Sequence, residues 1–382
     1  CYYFSRGEVQ AYGNGTTGGI ANTILPHTSE TMFLPTINHA NRYYDTFGEP
    51  HELGIKTELA RHPAFHPYQE QNGLFCPPPL CMCFKGKEGW AGLGIGTTPG
   101  NYRFNSLIWS GYFFSGATLY VDYKGFTTFK DGFESPVLSI VFGYDEYAAL
   151  EEHFRWCDKN GFSTAKAYRN VRWHRMPVFC GWDEQCVLQY QTGIGAGRHC
   201  TQENYEKWIE IQENRGLPFG TLVIDDKWMK NYGKLDIDTD KWPDMKGFIA
   251  RQHEKGRHVL LWIPYCQTEG LDKSVCVLVD GKPVCADAGN PEYEKILRQS
   301  IAELVGNIGA DGFKIDWVGG VRFDDSAREG IEFSGLYGIE FLHRFHHIVY
   351  DETHKIKPDA MIETQTPNPL FRNCSDVLRL ND

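Results

Sequence analysis

The stretch that decides the fold is Val178-Phe179-Cys180-Gly181-Trp182-Asp183-Glu184. A short apolar run ends there on a tryptophan and two acids. A doubly wound nucleotide-binding sheet would follow its first strand with a glycine-rich loop that cradles phosphate, and none follows here. A (β/α)8 barrel instead displays reactive side chains at the C-terminal ends of several strands. Working outward, further short apolar runs read as strands at Thr221 to Asp225, His258 to Ile263, Gly312 to Asp316, Ala360 to Glu363 and near Asp376 to Leu380. Helical sequence at about 201–215, 244–255, 291–307 and 334–351 alternates with them. Such alternation predicts a parallel sheet. The strand ends carry Trp182, Asp225-Asp226, Trp262, Asp316 and Glu363, so the barrel is the expected architecture. Six strands do not close an eight-stranded barrel. A catalytic TIM barrel over 171–382 is therefore expected to be incomplete, needing roughly 60–100 further residues.

Residues 1–145 have a different texture, with short Gly-, Thr- and aromatic-rich runs broken by turn signals. Trp90 to Gly96, Ala117 to Val121 and Val137 to Phe142 read as strands. A β-supersandwich is expected, incomplete at its start, because Cys1 is no initiator and the ends fall in strand-like sequence. Gly94-Ile95-Gly96 lacks the strand–helix context of a dinucleotide fingerprint. Residues 146–170 read as a helical linker, with Tyr147, Leu150, Phe154 and Cys157 at helical spacing.

The 382 residues are 41% hydrophobic and 14% aromatic, enough for large cores and against disorder. No apolar run suits a membrane span. A net charge of −11 argues against nucleic acid or an anionic membrane as partner. Twelve cysteines, with Cys76, Cys81 and Cys83 clustered, show no paired zinc spacing and read as disulfides or buried thiols. With the sequons at Asn14 and Asn373 they lean toward a secretory or lysosome-like compartment, the cytoplasm remaining open. A homo-oligomer is also left open.

Several carboxylates at successive strand ends (Asp225, Asp226, Asp316, Glu363 and Asp376) are costly to bury unpaired. Interleaved Trp182, Trp228 and Trp262 offer flat faces for the C–H face of a sugar. Carboxylates with aromatic platforms, and neither phosphate loop nor metal triad, point to glycoside chemistry, which needs two carboxyl groups about the scissile bond. Asp316 is the expected nucleophile, kept ionised by Lys314 on the same strand face. Asp376 is the expected acid/base, with Arg372 nearby for hydroxyl binding and Asp382 as a rival. Asp225, Asp226 and Glu363 are expected to bind substrate. No metal is expected from His343, His346 and His347, which share one helix.

At these residues the sequence resembles the clan of retaining α-galactosidases, glycoside hydrolase families 36 and 27. The carriers are Asp225-Asp226-Lys227-Trp228, Gly256 to Ile263, Phe313-Lys314-Ile315-Asp316 and Arg372-Asn373-Cys374-Ser375-Asp376. The resemblance implies double displacement on terminal α-linked sugars, foremost α-galactosides, with Asp316 attacking and Asp376 protonating, and no cofactor. Val318, where relatives carry Cys or Asn, and Glu363-Thr364-Gln365 depart from the pattern and put the sugar in question. Two other outcomes fit the same residues: a galactosyl transferase of raffinose- or stachyose-synthase type, and a sugar-binding relative without turnover.

Overall fold

The computed structural model describes residues 2–5, 31–33, 43–45, 54–58, 81–85, 89–98, 106–112, 116–122, 131–163, 169–317, 330–336, 339–364, 366 and 368–379. Asn14, Cys76, Val318 and Asp382 lie outside these. At the centre is a six-stranded sheet in chain order. Its strands are β1 (Val178–Cys180), β2 (Thr221–Ile224), β3 (His258–Pro264), β4 (Gly312–Asp316), β5 (Met361–Thr364) and β6 (Val377–Leu378). All neighbouring pairs are parallel, and the sheet curls as part of a TIM barrel.

Six helices accompany it among the described residues: α1 (Glu146–Lys159), α2 (Trp182–Thr192), α3 (Gln202–Asn214), α4 (Met245–Glu254), α5 (Pro291–Ala302) and α6 (Ile339–Ile356). Local chemistry sets their starts. Asp145, Thr201 and Asn290 each accept a bond from a first-turn amide, and Pro291 opens α5 where its missing N–H costs nothing. Sequence periodicity gives no sign of α2. Its buried residue is the polar Gln185, while Val187 and Tyr190 face solvent, so no apolar stripe marks it. Helix α6 starts later than its apolar pattern suggests. The preceding Ile331–Glu332 instead pairs with Cys276–Val279, which also pairs with Lys282–Ala286 in a small antiparallel sheet.

Alternation along the strands sorts the core into two faces. Leu222, Ile224, Val259, Leu261, Phe313, Ile315 and Ile362 belong to the large buried cluster shared with the helices. Val223, Leu260 and Met361 belong to a second cluster with Trp173, inside the barrel. Gly312 lies in register with Leu260 and Met361. Its φ is +144°, and a Cβ there would sit 1.9 Å from the Met361 carbonyl oxygen, so only glycine lets β4 and β5 approach this closely.

Two antiparallel sheets precede the barrel. One orders Tyr43–Asp45, Thr31–Phe33, Cys81–Lys85, Trp90–Gly96 and Val137–Gly143; the other orders Tyr2–Ser5, Gly116–Asp122, Ser106–Tyr112 and Gly54–Glu58. The described cysteines are free thiols, Cys81 and Cys83 buried among them.

Candidate active site

The interior parity that carries Leu260 and Met361 carries, one step further along the strands, Trp262, Lys314 and Glu363, which are in register across β3, β4 and β5. Asp225 follows directly on β2. The next interior position on β4 is Asp316, opposite Pro264. Polar groups thus replace the apolar layer at the C-terminal ends of the strands, where barrels place their chemistry.

Lys314 Nζ lies 2.7 Å from Asp225 Oδ2, both side chains nearly inaccessible. The Cys180 thiol donates to the same oxygen at 3.0 Å. Burial disfavours the Lys314 ammonium, but Asp225 outweighs it and its pKa is raised. The sequence expectation that Lys314 serves Asp316 is therefore corrected: its partner is Asp225. Behind Asp225, its amide donates to the Tyr205 hydroxyl at 2.9 Å, which donates to Gln185 Oε1 at 2.9 Å. Gln185 in turn bonds the Asp226 carbonyl. Gly181 admits that hydroxyl, since a Cβ at 181 would meet it at 2.2 Å.

Asp316 is held from three sides. Its Oδ2 accepts from the Trp262 indole at 3.0 Å, and its Oδ1 accepts from the Trp317 amide at 2.9 Å. Arg379, just beyond β6, brings its guanidinium to 3.2 Å from Oδ1 and to 3.7 Å from Glu363. Glu363 is buried, which raises its pKa against the opposing pull of Lys314 and Arg379. Asp226 accepts from the Tyr232 hydroxyl at 2.8 Å. Burial lifts its pKa to about 6, the Tyr232 bond opposing.

Other expected site residues stand elsewhere. Asp376 is at the opposite, N-terminal end of the sheet. Its amide and carboxylate bond the backbone of Ile362, and its carboxylate pairs with His354 at 3.0 Å and Arg169 at 2.5 Å. His354 belongs to the last turns of α6, which lead into the start of β5. The acid/base expectation for Asp376 is corrected by this placement, because a carboxylate sealed at the barrel floor cannot reach a bond cleaved at the mouth. Arg372 points to α1, pairing with Asp158 at 3.0 Å. Trp228 is wholly buried and donates its indole N–H to the Trp262 carbonyl at 2.7 Å, which makes it a support and not a platform. Trp262 is also buried, its ring covered by Trp317 and Tyr232. Trp182 begins α2 at the end of β1, half-buried.

The sequence reading singled out none of Cys180, Tyr205, Tyr232, Trp317 and Arg379, and patterning offers no sign of the first four. Arg379 had one legible signal: it lies two residues past Val377, where the strand it follows would open onto the mouth.

Among the described residues no group of three His, Cys, Asp or Glu side chains could hold a metal, and no helix is long and apolar enough to cross a membrane. Solved structures of the same fold include three carbohydrate-active enzymes. An α-galactosidase from Thermus thermophilus in complex with stachyose matches with TM-score 0.59 at 17% identity, covering 94% of this chain and 70% of that one. A cycloalternan-degrading enzyme from Trueperella pyogenes, in complex with a covalent intermediate, matches with TM-score 0.59 at 14% identity, over 92% and 49%. A family 31 dextranase from Flavobacterium johnsoniae matches with TM-score 0.58 at 11% identity, over 90% and 40%. An α-xylosidase from Emericella nidulans is 39% identical over 56 residues, which is 14% of this chain and 7% of the relative. Fold and matches together liken this chain to one class of protein, the glycoside hydrolases with a TIM barrel, and it spans from 7% to 70% of the length of these relatives. Within that class, residues 184–353 match the model of the glycosyl hydrolases family 31 TIM-barrel domain. The matched model is that of family 31, whereas the short strand-end motifs pointed to families 36 and 27.

Proposed function

We propose that this chain carries the catalytic barrel of a retaining α-glycosidase with Asp316 as nucleophile. The observation that carries the reading is the setting of Asp316. It ends an interior strand position, is oriented by Trp262 and countered by Arg379, and adjoins the buried Asp225–Lys314 pair. Asp316 attacks the anomeric carbon and forms a carbon–oxygen bond as the bond to the leaving oxygen breaks. A protonated carboxyl supplies the proton, and water or an acceptor hydroxyl then releases the sugar. Asp382, the rival already present in the sequence, takes the acid/base role in this reading, since Asp376 is committed at the floor.

Asp225, Lys314 and Glu363 form a compact buried polar cluster suited to the hydroxyls of a single terminal α-linked sugar. The stachyose complex of the α-galactosidase supports an α-galactoside as that substrate; the α-xylosidase and the dextranase make α-xylosides and α-glucosides the necessary comparators. We also read residues 1–145 as a β-supersandwich, 146–170 as a linker and 171–382 as the barrel.

The test is a panel of α-galactosides, α-glucosides and α-xylosides with the soluble full-length protein, followed by trapping with the matching fluorinated glycosyl fluoride. Release of one sugar with retained configuration, and a covalent adduct on the peptide holding Asp316, are expected. No release across the panel, or an adduct elsewhere, would overturn the assignment.

A further inference from the structure

Among the described residues Trp317 is the largest apolar side chain left open beside Asp316, being 42% exposed. Its backbone explains how it comes to be there. Strand alternation would send the residue after Asp316 to the opposite face, away from the barrel interior. Trp317 instead has φ +56°, in the left-handed region that bulky side chains rarely occupy. The chain turns there, and the indole returns to the Asp316 side. It packs edge-to-face on Trp262 at 5.0 Å and on Tyr232 at 5.3 Å. Trp262 also donates its indole N–H to Asp316, and Tyr232 donates its hydroxyl to Asp226. One aromatic corner therefore contacts the nucleophile, a second carboxylate and Trp317 together.

The two sides of Asp316 differ in kind. On one side Asp225, Lys314 and Glu363 are buried and polar, a setting for the hydroxyls of one sugar. On the other side Trp317 presents open aromatic surface and is joined through Tyr232 to the Asp226 carboxylate. A sugar ring stacks its C–H face on such a surface. Backbone strain held at a site of this type points to function over packing.

From this geometry we infer that Trp317, supported by Tyr232, is the platform for the leaving-group sugar. The chain then selects α-linked di- and oligosaccharides over glycosides whose leaving group is small. This rests on the retaining-glycosidase reading above and adds the identity of the aglycone.

The test compares Trp317→Ala and Trp317→Phe with the natural full-length protein on two substrates of the sugar found active. The pairs are melibiose and α-galactosyl fluoride, or isomaltose and α-glucosyl fluoride. The fluoride carries no aglycone ring. Trp317→Ala is expected to lower kcat/KM on the disaccharide about tenfold or more, an ordinary size for one lost recognition contact. Turnover of the fluoride should fall at least fivefold less than that of the disaccharide, and an unchanged melting profile shows that the variant is folded. Trp317→Phe should recover most of the disaccharide rate. Equal losses on both substrates, or no loss on either, would overturn this inference alone. A natural protein that turns over neither substrate would overturn the glycosidase reading and this inference with it.

Discussion

Arg379 reaches across β5 to set its guanidinium 3.2 Å from the Asp316 carboxylate. The residue that supplies this cation stands 63 positions further along the chain. Lys314, only two residues away, is spent on Asp225.

Arg379→Ala is expected to lower kcat by about a hundredfold, the usual cost of one preorganised charge contact at a reacting group. Arg379→Lys should restore part of it, because the charge returns without the fork that also approaches Glu363. Steady-state and single-turnover rates on an activated glycoside check this. An Ala variant with unchanged kcat would remove Arg379 from the chemistry.

Asp376→Asn should act on stability. Burial would raise its pKa, but His354 and Arg169 outweigh burial and hold it below the ordinary carboxylate range. Stability from the ionised form is therefore complete above the ordinary carboxylate pKa and is lost as pH falls through the lowered one. Breaking the pair should cost about 3 kcal/mol at pH 7, the gap from the natural protein closing in acid. Denaturant melts across pH measure it. Folded Asp376→Asn protein that has lost catalysis a thousandfold would return Asp376 to the acid/base role.

Asp226 has the opposite sign. Its folded pKa is raised to about 6 from 3.8, so the folded state holds the proton more firmly. Stability is greatest below the unfolded pKa and falls as pH rises toward 6, by about 3 kcal/mol in all. Asp226→Asn keeps an acceptor for Tyr232 without the buried charge. The variant should therefore gain on the natural protein by about 2–3 kcal/mol between pH 4 and pH 8. A pH-independent difference would show that Asp226 titrates normally.

Gly312→Ala is expected to prevent folding of the barrel. The new methyl would need the space of the Met361 carbonyl at a φ of +144°, and backbone cannot yield as a side chain can. Soluble expression with a natural melting profile would contradict the close approach of β4 and β5.

Much of the barrel was legible because strands buried on both faces are continuous apolar runs, and their ends announce themselves by a sudden acid or tryptophan. Asp225, Asp226, Asp316 and Glu363 were found in that way. Helix α2 was not, because Gln185 is its buried residue and periodicity detects only apolar stripes.

What the sequence by itself determined is the alternation of strand and helix, the shared strand face of Lys314 and Asp316, and the presence of Asp316 at a strand end. These follow from local periodicity, which is written in consecutive residues. Pairing was decided only by tertiary structure. Lys314 belongs to Asp225, Arg379 to Asp316, and Asp376 to Arg169 and His354 at the other end of the sheet. Charges act through space over a few ångströms, and curling the sheet brings together residues whose separation along the chain carries no trace of that distance. The same holds for Trp317, whose place beside Asp316 depends on one left-handed backbone turn that alternation alone would exclude.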